Sequence, residues 1–370
     1  DVEAEEQHRR KRQQQQTYLG EDGALVTSNA AASTARFRDR NGWLSRRRSE
    51  TPTWGFELCV WLLHPGVVID GLASQVRALV FASGTLSPVL QTEHELGRVF
   101  AERMGTEKTG KPTKALEAKH VCCTKEQLAV LAVTAATVRD RRVDLDCRAA
   151  ALKTKDVYGR QRAFALGETI VTLASQAPGG VLIFLPSHSL LKNLLALWQN
   201  SSTEYGPAGS SSTLWNRLRR AKTTLLTEET DGRANDLVIK QFRAAVDSAN
   251  RSAVLFAVYR GKCSEGISYN DDACRLVLCI GVPYPPAYDP QIVRKQNYND
   301  AKIKGGAALG AAEDEVSREC MSGQLWYKVQ AYRALNQALG RCLRHLNDWG
   351  AVVMIDSRFE DAPARKYVAA

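Results

Sequence analysis

Residues 325–356 read LWYKVQAYRALNQALGRCLRHLNDWGAVVMID and join two kinds of pattern. Residues 325–346 have helical periodicity, and the apolar run at 351–356 has the length and composition of a fully buried strand. A helix that leads directly into a buried strand is typical of an α/β protein with a parallel sheet.

The predicted helix has two different faces. At 100° per residue, Gln337, Arg341 and Arg344 lie within about 60° of one another, and Gly340 on this front would allow another chain or a ligand to come close. The roughly opposite stripe suits a core and consists of Leu335, Leu339 and Leu343. Two adjacent guanidiniums repel each other and favour an anion between them, ideally a phosphate. The alternative is an exposed helix that pairs with acidic neighbours.

Four more apolar runs along the chain look like buried strands. They are ALVFA at 78–82, VLIFLP at 181–186, AVLFAV at 253–258 and RLVLCIG at 275–281. Helix-compatible stretches at 187–199 and 235–247 separate several of them. This alternation predicts a parallel sheet with helices on both faces, and such sheets bind ligands at the carboxyl ends of their strands.

Small, hydroxylated and basic residues follow four of these runs. They are Ser83-Gly84-Thr85-Leu86-Ser87-Pro88, Pro186-Ser187-His188-Ser189, Tyr259-Arg260-Gly261-Lys262-Cys263-Ser264-Glu265-Gly266 and Gly281-Val282-Pro283-Tyr284-Pro285-Pro286. Hydroxyls, backbone amides and fixed positive charges are the groups that bind phosphates. Turns favour Gly, Ser and Pro for other reasons, but the repetition after successive strands favours a phosphate-handling surface.

Composition sets broad limits on the function. The 370 residues carry 50 Lys and Arg against 40 Asp and Glu, a basic balance that favours polyanionic partners without requiring them. We find no run of about 20 apolar residues, so we expect no membrane partner. The nine cysteines show no zinc-binding spacing and are interpreted as reduced core residues: Cys59, Cys122, Cys123, Cys147, Cys263, Cys274, Cys279, Cys320 and Cys342.

Two patterns typical of nucleotide-binding proteins are incomplete or absent in this sequence. Residues 105–111 fit the first seven positions of the phosphate-binding loop G-x-x-x-x-G-K-[ST], but Pro112 stands where a hydroxyl should hold magnesium. We therefore interpret this stretch as a solvated loop. A metabolic enzyme on a doubly wound sheet would need a G-x-G-x-x-G fingerprint, which the sequence does not contain.

Residues 54–88 and 178–360 resemble the carboxyl half of the superfamily 2 iron–sulfur DNA helicases, the xeroderma pigmentosum group D-like group. Within that group, residues 333–359 are most similar to the Fanconi anaemia group J type. Ser83–Pro88 is similar to the S-G-T-L-S-P element, and Gly180–Ser187 to the fourth motif. The two remaining matches are Arg260–Gly266 with the fifth motif, R-G-K-x-S-E-G, and Gln337–Arg344 with the sixth, Q-x-x-G-R-x-x-R.

The resemblance implies a mechanism in which two RecA-like lobes close on ATP and move single-stranded DNA. Arg341 and Arg344 would be arginine fingers that reach the γ-phosphate, and Gln337 would help to position the nucleotide or the attacking water. The residues that would bind ATP or couple it to DNA are Ser83, Gly84, Thr85, Ser264, Glu265, Gly266 and Gly340. The candidate DNA contacts are Ser187, Arg260 and Lys262. One departure from the family pattern is Ser268, which stands where the family usually has an acidic residue.

The same resemblance implies a domain plan. We expect a RecA-like second lobe at 178–362, similar to P-loop NTPases, the end of the first lobe at 51–90, and a connecting region at 91–177. Residues 1–50 are polar and basic and are predicted to be a disordered or variable insert, and 363–370 a tail.

The resemblance also implies cofactors and partners. ATP and Mg²⁺ would be shared with a first lobe whose phosphate-binding loop and D-E-A-H box we do not find in this sequence, and the 4Fe-4S cluster of the full-length family would lie outside this chain. The expected partners are single-stranded or forked DNA and DNA-repair proteins in the nucleus. Because the chain opens on Asp1, we expect a fragment or a processed product. Because the motifs of the first lobe are missing, we expect that it does not hydrolyse ATP unaided. The alternative is a truncated, catalytically silent nucleic-acid-binding or interaction module.

Overall fold

The computed structural model describes most of the chain beyond residue 57 and four short strands before it. The described ranges are 58–83, 89–96, 126–153, 155–200, 212–248, 252–265, 267–308 and 321–360, with the single residues 100 and 368. Contacts divide the chain into two units, Asp1–Leu62 and Leu63–Ala370.

The first unit contains two antiparallel hairpins. Strand β1 (Thr17–Leu19) pairs with β2 (Leu25–Thr27), and β3 (Thr34–Arg38) pairs with β4 (Leu44–Arg48). The interpretation of residues 1–50 as a variable insert stays a prediction, as do the other domain boundaries.

A six-stranded parallel sheet forms the centre of the second unit. Its strands are β5 (Leu128–Val133), β8 (Gly180–Leu185), β9 (Thr224–Thr227), β10 (Ala253–Val258), β11 (Leu276–Ile280) and β12 (Gly350–Ile355). They are arranged in the order β5-β12-β11-β8-β10-β9, and every neighbouring pair is parallel. The sheet therefore has one amino edge and one carboxyl edge, which are the two places where loops emerge. A separate hairpin consists of β6 (Ala135–Val138) and β7 (Arg141–Asp144).

Eight α-helices accompany these strands among the described residues. They are α1 (Gly66–Gln75), α2 (Val89–Leu96), α3 (Val157–Gln176), α4 (His188–Asn200), α5 (Leu214–Ala221), α6 (Gly232–Asp247), α7 (Pro290–Ala308) and α8 (Gly323–Leu339). Side-chain caps begin several of them: Asp156 Oδ2 accepts from Gly159 N at 3.0 Å, and Ser322 Oγ accepts from Leu325 N at 3.2 Å. A search of the described helices for one long and apolar enough to cross a membrane finds none.

Both faces of the sheet are buried, which explains why its strands read as continuous apolar runs. Alternate residues of β8 enter two different cores. Val181 and Ile183 pack with α3, α4 and α5 on one face, whereas Leu182 and Phe184 pack with α6 and α8 on the other. This arrangement confirms the predicted α/β fold with a parallel sheet flanked by helices.

Part of the sheet was predicted wrongly from the sequence. The run at 78–82 is not a strand; Val80 is 91% exposed, and no strand in the described part of the chain pairs with it. Strands β5 and β9 are the two outermost strands of the sheet, and neither was predicted from the sequence. A short apolar run is not sufficient to predict a strand, because a strand forms only where a neighbouring strand exchanges backbone hydrogen bonds with it.

The helix predicted for 325–346 ends earlier than expected. Helix α8 stops at Leu339, and Gly340 forms its C-cap with φ −67° and ψ 7°. Arg341 and Arg344 therefore lie in the loop that leads to β12 and do not share a helical face with Gln337. Of the predicted apolar stripe, Leu335 and Leu343 are buried, but Leu343 also belongs to this loop.

We predict that two glycine-to-alanine substitutions change stability in opposite directions. A Cβ at Gly180 would lie 2.9 Å from the carbonyl carbon of Ala273 and 3.0 Å from Cζ of Phe242, so Gly180→Ala should lower the stability by about 1–3 kcal/mol. Gly71 lies inside α1 with nothing within 4 Å of a built Cβ, so Gly71→Ala should raise it by up to about 1 kcal/mol. Thermal unfolding of both variants tests this, and equal melting temperatures would contradict it.

Candidate functional site

The predicted site residues are divided between the two edges of the sheet. Ser187 follows β8 at the carboxyl edge, where its exposed side chain caps α4 and accepts from Leu190 N at 3.2 Å. Arg260 and Lys262 follow β10 at the same edge. Arg341 and Arg344 lie at the amino edge, because residues 340–349 lead into the first residue of β12. We call residues 340–349 the arginine loop.

A buried carboxylate holds the turn after β10 in place. Glu228 Oε2 accepts from Val258 N at 2.8 Å, Glu228 Oε1 accepts from Cys263 N at 3.1 Å, and the backbone of Lys262 also donates to this carboxylate. Burial raises the pKa of Glu228, and the three N–H groups oppose that shift. A Cβ at Gly261 would lie 2.8 Å from Cδ of Glu228, so only glycine fits there.

The side chains of this turn have defined partners. Arg260 adopts a left-handed backbone conformation, with φ 59°, and its Nη2 donates to Gln330 O of α8 at 2.7 Å. Lys262 Nζ lies 2.6 Å from Asp236 Oδ1. Ser264 is buried, and its hydroxyl donates to Gly261 O at 2.8 Å. Burial lowers the pKa of Arg260, and the nearby Glu265 opposes this shift.

Arg341 is a half-buried cation with an unsatisfied nitrogen. Its Nη1 donates to Ile267 O at 2.7 Å. Its Nε is buried, and within the described part of the chain it has no hydrogen-bond partner. Burial and then the neighbouring positive charge of Arg344 lower the pKa of Arg341. A guanidinium that is desolvated, incompletely paired and close to a second guanidinium is suited to bind an anion.

Glu265 lies electrostatically between the two edges. Burial lowers the pKa of both Arg260 and Arg341, and the negative charge of Glu265 opposes that lowering at each of them. Ile267, two residues further on, receives the hydrogen bond from Arg341. The short segment from Ser264 to Ile267 therefore connects the turn after β10 with the arginine loop.

The remaining predicted residues have less defined surroundings. Gln337 is exposed in the last turn of α8, and Gly340 is exposed directly after it. Ser83 is exposed and belongs to no strand or helix. Gly84, Thr85 and Gly266 lie outside the described residues, as does the loop at 105–111.

Sequence reasoning missed three buried charged residues near the site. Glu228 follows the short strand β9, Arg275 precedes β11, and Asp348 lies in the arginine loop. For Glu228 and Arg275 the available signal was a charged residue directly beside an apolar run, but only the folded chain reveals the partners of all three. Ser268, at the position where the resemblance implied an acid, offers its backbone carbonyl to Arg243 Nη2 at 3.2 Å.

Metal-binding groups are few among the residues that the structure describes. The one cluster of potential ligands found there consists of Asp271, His345 and Asp348. Asp348 already pairs with the guanidinium of Arg275 at 2.8 Å, which neutralises the charge that a cation would need. The buried free cysteines include Cys147, Cys263 and Cys279, and burial raises the pKa of Cys279 to about 12.

Comparison with known proteins places more than half of the chain in one family. Residues 170–370 match the family described as helicase C-terminal domain. A Gallus gallus protein named Fanconi anemia group J protein homolog is 32% identical over 311 residues, which cover 83% of this chain and 21% of that protein.

Proteins named regulator of telomere elongation helicase 1 homolog are also similar to this chain. The one from Drosophila sechellia is 30% identical over 88% of this chain and 30% of its own length. The one from Oryza sativa subsp. japonica is 30% identical over 84% of this chain and 27% of its own length. The chain thus spans between about a fifth and a third of these relatives.

The motifs at 260–266 and 337–344 lie inside the matched range. The resemblance to the carboxyl half of the xeroderma pigmentosum group D-like helicases is therefore confirmed, and with it the fold of a RecA-like helicase lobe. The chain belongs to the helicase C-terminal domain family.

Proposed function

We propose that this chain is the carboxyl-terminal part of an ATP-dependent DNA helicase and that it supplies the arginine fingers of the ATP site. The observation that carries the proposal is the state of Arg341, which is half-buried, lies beside Arg344 and has a buried Nε that no described residue partners. Such a pair gains most when an anion approaches, because an anion satisfies the orphan donor and relieves the repulsion.

The γ-phosphate of ATP is the anion that fits this role in a helicase lobe. Charge develops on the γ-phosphoryl oxygens in the transition state, and a guanidinium that meets them there lowers the barrier more than it strengthens ground-state binding. Arg341 would turn its guanidinium toward these oxygens when the two lobes close, which would bring the buried Nε within reach of them. Bound ATP would supply the phosphoanhydride bond that is hydrolysed. Gln337 would orient the nucleotide or the attacking water. The charge of Mg²⁺ would be held by residues of the other lobe.

DNA would follow the carboxyl edge of the sheet. Ser187, Arg260 and Lys262 follow two neighbouring strands there, and in this proposal each would contact a phosphate. Lys262 would exchange Asp236 for a phosphate at little cost, because an exposed ion pair contributes only about 0–1 kcal/mol. The segment from Ser264 to Ile267 would then couple DNA contact to the position of Arg341.

We further propose single-stranded or forked DNA as the substrate, DNA-repair proteins as partners and the nucleus as the location. The names of the relatives, a Fanconi anemia group J protein homolog and regulators of telomere elongation, support this assignment. The 4Fe-4S cluster would belong to the full-length protein rather than to these residues.

We predict that Arg341→Ala in the full-length protein lowers the DNA-stimulated ATPase turnover by about 10³-fold or more, because the transition-state charge loses its main partner. Steady-state ATPase assays with saturating single-stranded DNA measure this, and fluorescence anisotropy should show unchanged DNA binding. Arg220→Ala, an exposed arginine at the end of α5, is the matched control and should keep wild-type turnover.

Two results would replace the proposal. Near wild-type turnover of Arg341→Ala would remove the finger assignment. A full-length protein that binds DNA but hydrolyses no ATP would favour the alternative, a catalytically silent nucleic-acid-binding module.

We predict that Glu228→Gln lowers the stability by about 1–3 kcal/mol and weakens binding to single-stranded DNA by about tenfold. The glutamine amide would turn its NH₂ toward at least one of the three backbone N–H groups and leave that donor buried and unpaired. The loosened turn would then place Arg260 and Lys262 less accurately. Urea denaturation and anisotropy test both effects. Glu229→Gln, at the exposed neighbouring position, should change neither, and identical behaviour of the two variants would contradict the role of Glu228.

A further inference from the structure

A buried arginine fastens the arginine loop to the amino edge of the sheet. Arg275 directly precedes β11, and only 6% of its surface is exposed. Its Nη1 donates to Asp348 Oδ1 at 2.8 Å and to Trp349 O at 2.7 Å. The guanidinium also stacks on the Trp349 ring, with Cζ 4.4 Å from the ring centroid. On the other side, Nε donates to Asp272 Oδ1 at 3.0 Å.

Asp348 transmits this attachment to the backbone beside the proposed fingers. The carboxylate is fully buried. While Oδ1 binds Arg275 and the N–H of Trp349, Oδ2 accepts from the backbone N–H of Arg344 at 3.0 Å. The position of the Arg344 backbone is therefore set by the position of the Arg275 guanidinium, through one rigid carboxylate.

Two further contacts join the same pair of segments. His345 Nε2 lies 2.9 Å from Asp271 Oδ1. Cys342 Sγ donates weakly toward Cys274 O at 3.8 Å. The segment Asp271–Arg275 thus meets the arginine loop at three successive places, and the arginine loop has little freedom to move independently.

A contribution to stability alone does not explain why Arg275 and Asp348 are buried as an ion pair. Desolvation of two charges offsets most of their attraction, and apolar residues of similar size often stabilise a fold as well or better. A buried arginine with several hydrogen bonds also fixes the orientation of its partners, because its planar guanidinium donates in only a few geometries. The orientation is passed on to the segment that carries Arg341 and Arg344.

We propose that Arg275 is a positioning residue for ATP hydrolysis, which holds Arg341 and Arg344 in register through Asp348 and Trp349. This inference rests on the proposed function, because it assumes that these two arginines act on the nucleotide. Arg275 itself lies behind the arginine loop and would not touch the phosphate.

The test combines Arg275→Lys with Arg341→Ala in the full-length protein. Lysine keeps the charge beside Asp348 but cannot maintain the bonds to Trp349 O and Asp272 or the planar stack. We expect turnover to fall by about 10–100-fold, since small misplacements of catalytic groups have effects of that size. The KM for ATP should change by less than about threefold, because ground-state binding does not depend on the fingers.

The decisive measurement is the double variant. If Arg275 acts through Arg341, the Arg275→Lys/Arg341→Ala protein should turn over within about threefold of Arg341→Ala alone. If the double variant instead lost turnover by the product of the two single-variant losses, Arg275 would act independently of Arg341, and the proposal would be overturned. An Arg275→Lys turnover within about threefold of wild type would also overturn it. Near wild-type activity of Arg341→Ala alone would identify a failure of the proposed function rather than of the positioning role.

Two variants separate positioning from general destabilisation. Arg217→Lys alters a comparable arginine–carboxylate pair, with Glu168, on the opposite face of the sheet and should leave turnover unchanged. Should Arg275→Lys fail to fold, Trp349→Leu removes the stack and leaves the ion pair with Asp348 in place. The same turnover criteria then apply to that variant.

Discussion

The structure depends on the burial of its parallel sheet from both sides. Strands β8, β10 and β11 are completely buried, so no position along them can hold an unpaired charge without a large desolvation cost. Charged and polar groups are therefore restricted to the two edges where loops emerge. The proposed DNA contacts lie at the carboxyl edge and the proposed arginine fingers at the amino edge, and the sheet separates them.

We propose that the carboxyl and amino edges of the sheet are coupled through the chain that leads from β10 to β11. The segment from Ser264 to Ile267 leads from the turn after β10 to the carbonyl that receives Arg341, and the charge of Glu265 acts on both Arg260 and Arg341. Glu228 fixes the start of this connection through three backbone N–H groups, and Ile267 O receives Arg341 at its end. In this proposal, a shift of the turn after β10 would move Ile267 O and with it the guanidinium of Arg341.

Much of the fold was predictable, because buried strands read as apolar runs and four of the six were located within a residue or two. Strands β5 and β9 were missed because edge strands are only partly buried, and Leu128–Val133 remains largely exposed. The sixth motif made Arg341 and Arg344 candidates, which stays a prediction, but the shared helical face that periodicity predicted for them is wrong because α8 ends at Leu339. Gly340 carried the stop signal, since a glycine after the last periodic residue typically ends a helix. Glu228, Arg275 and Asp348 could not be recognised, because their partners are distant in sequence.

Two arginines at the amino edge show how the fold treats the same side chain in opposite ways. Arg275 is paired with a buried carboxylate, a carbonyl and an aromatic ring. Arg341, close by, has a buried Nε without a described partner and a like-charged neighbour. The amino edge is therefore able to satisfy a guanidinium, and the incomplete pairing of Arg341 is not a consequence of scarce acceptors. An unpaired buried donor costs about 1–3 kcal/mol, and departures from local consistency of this kind concentrate at functional sites. We infer that the satisfied arginine holds the arginine loop in place and that the unsatisfied one is available to an anion.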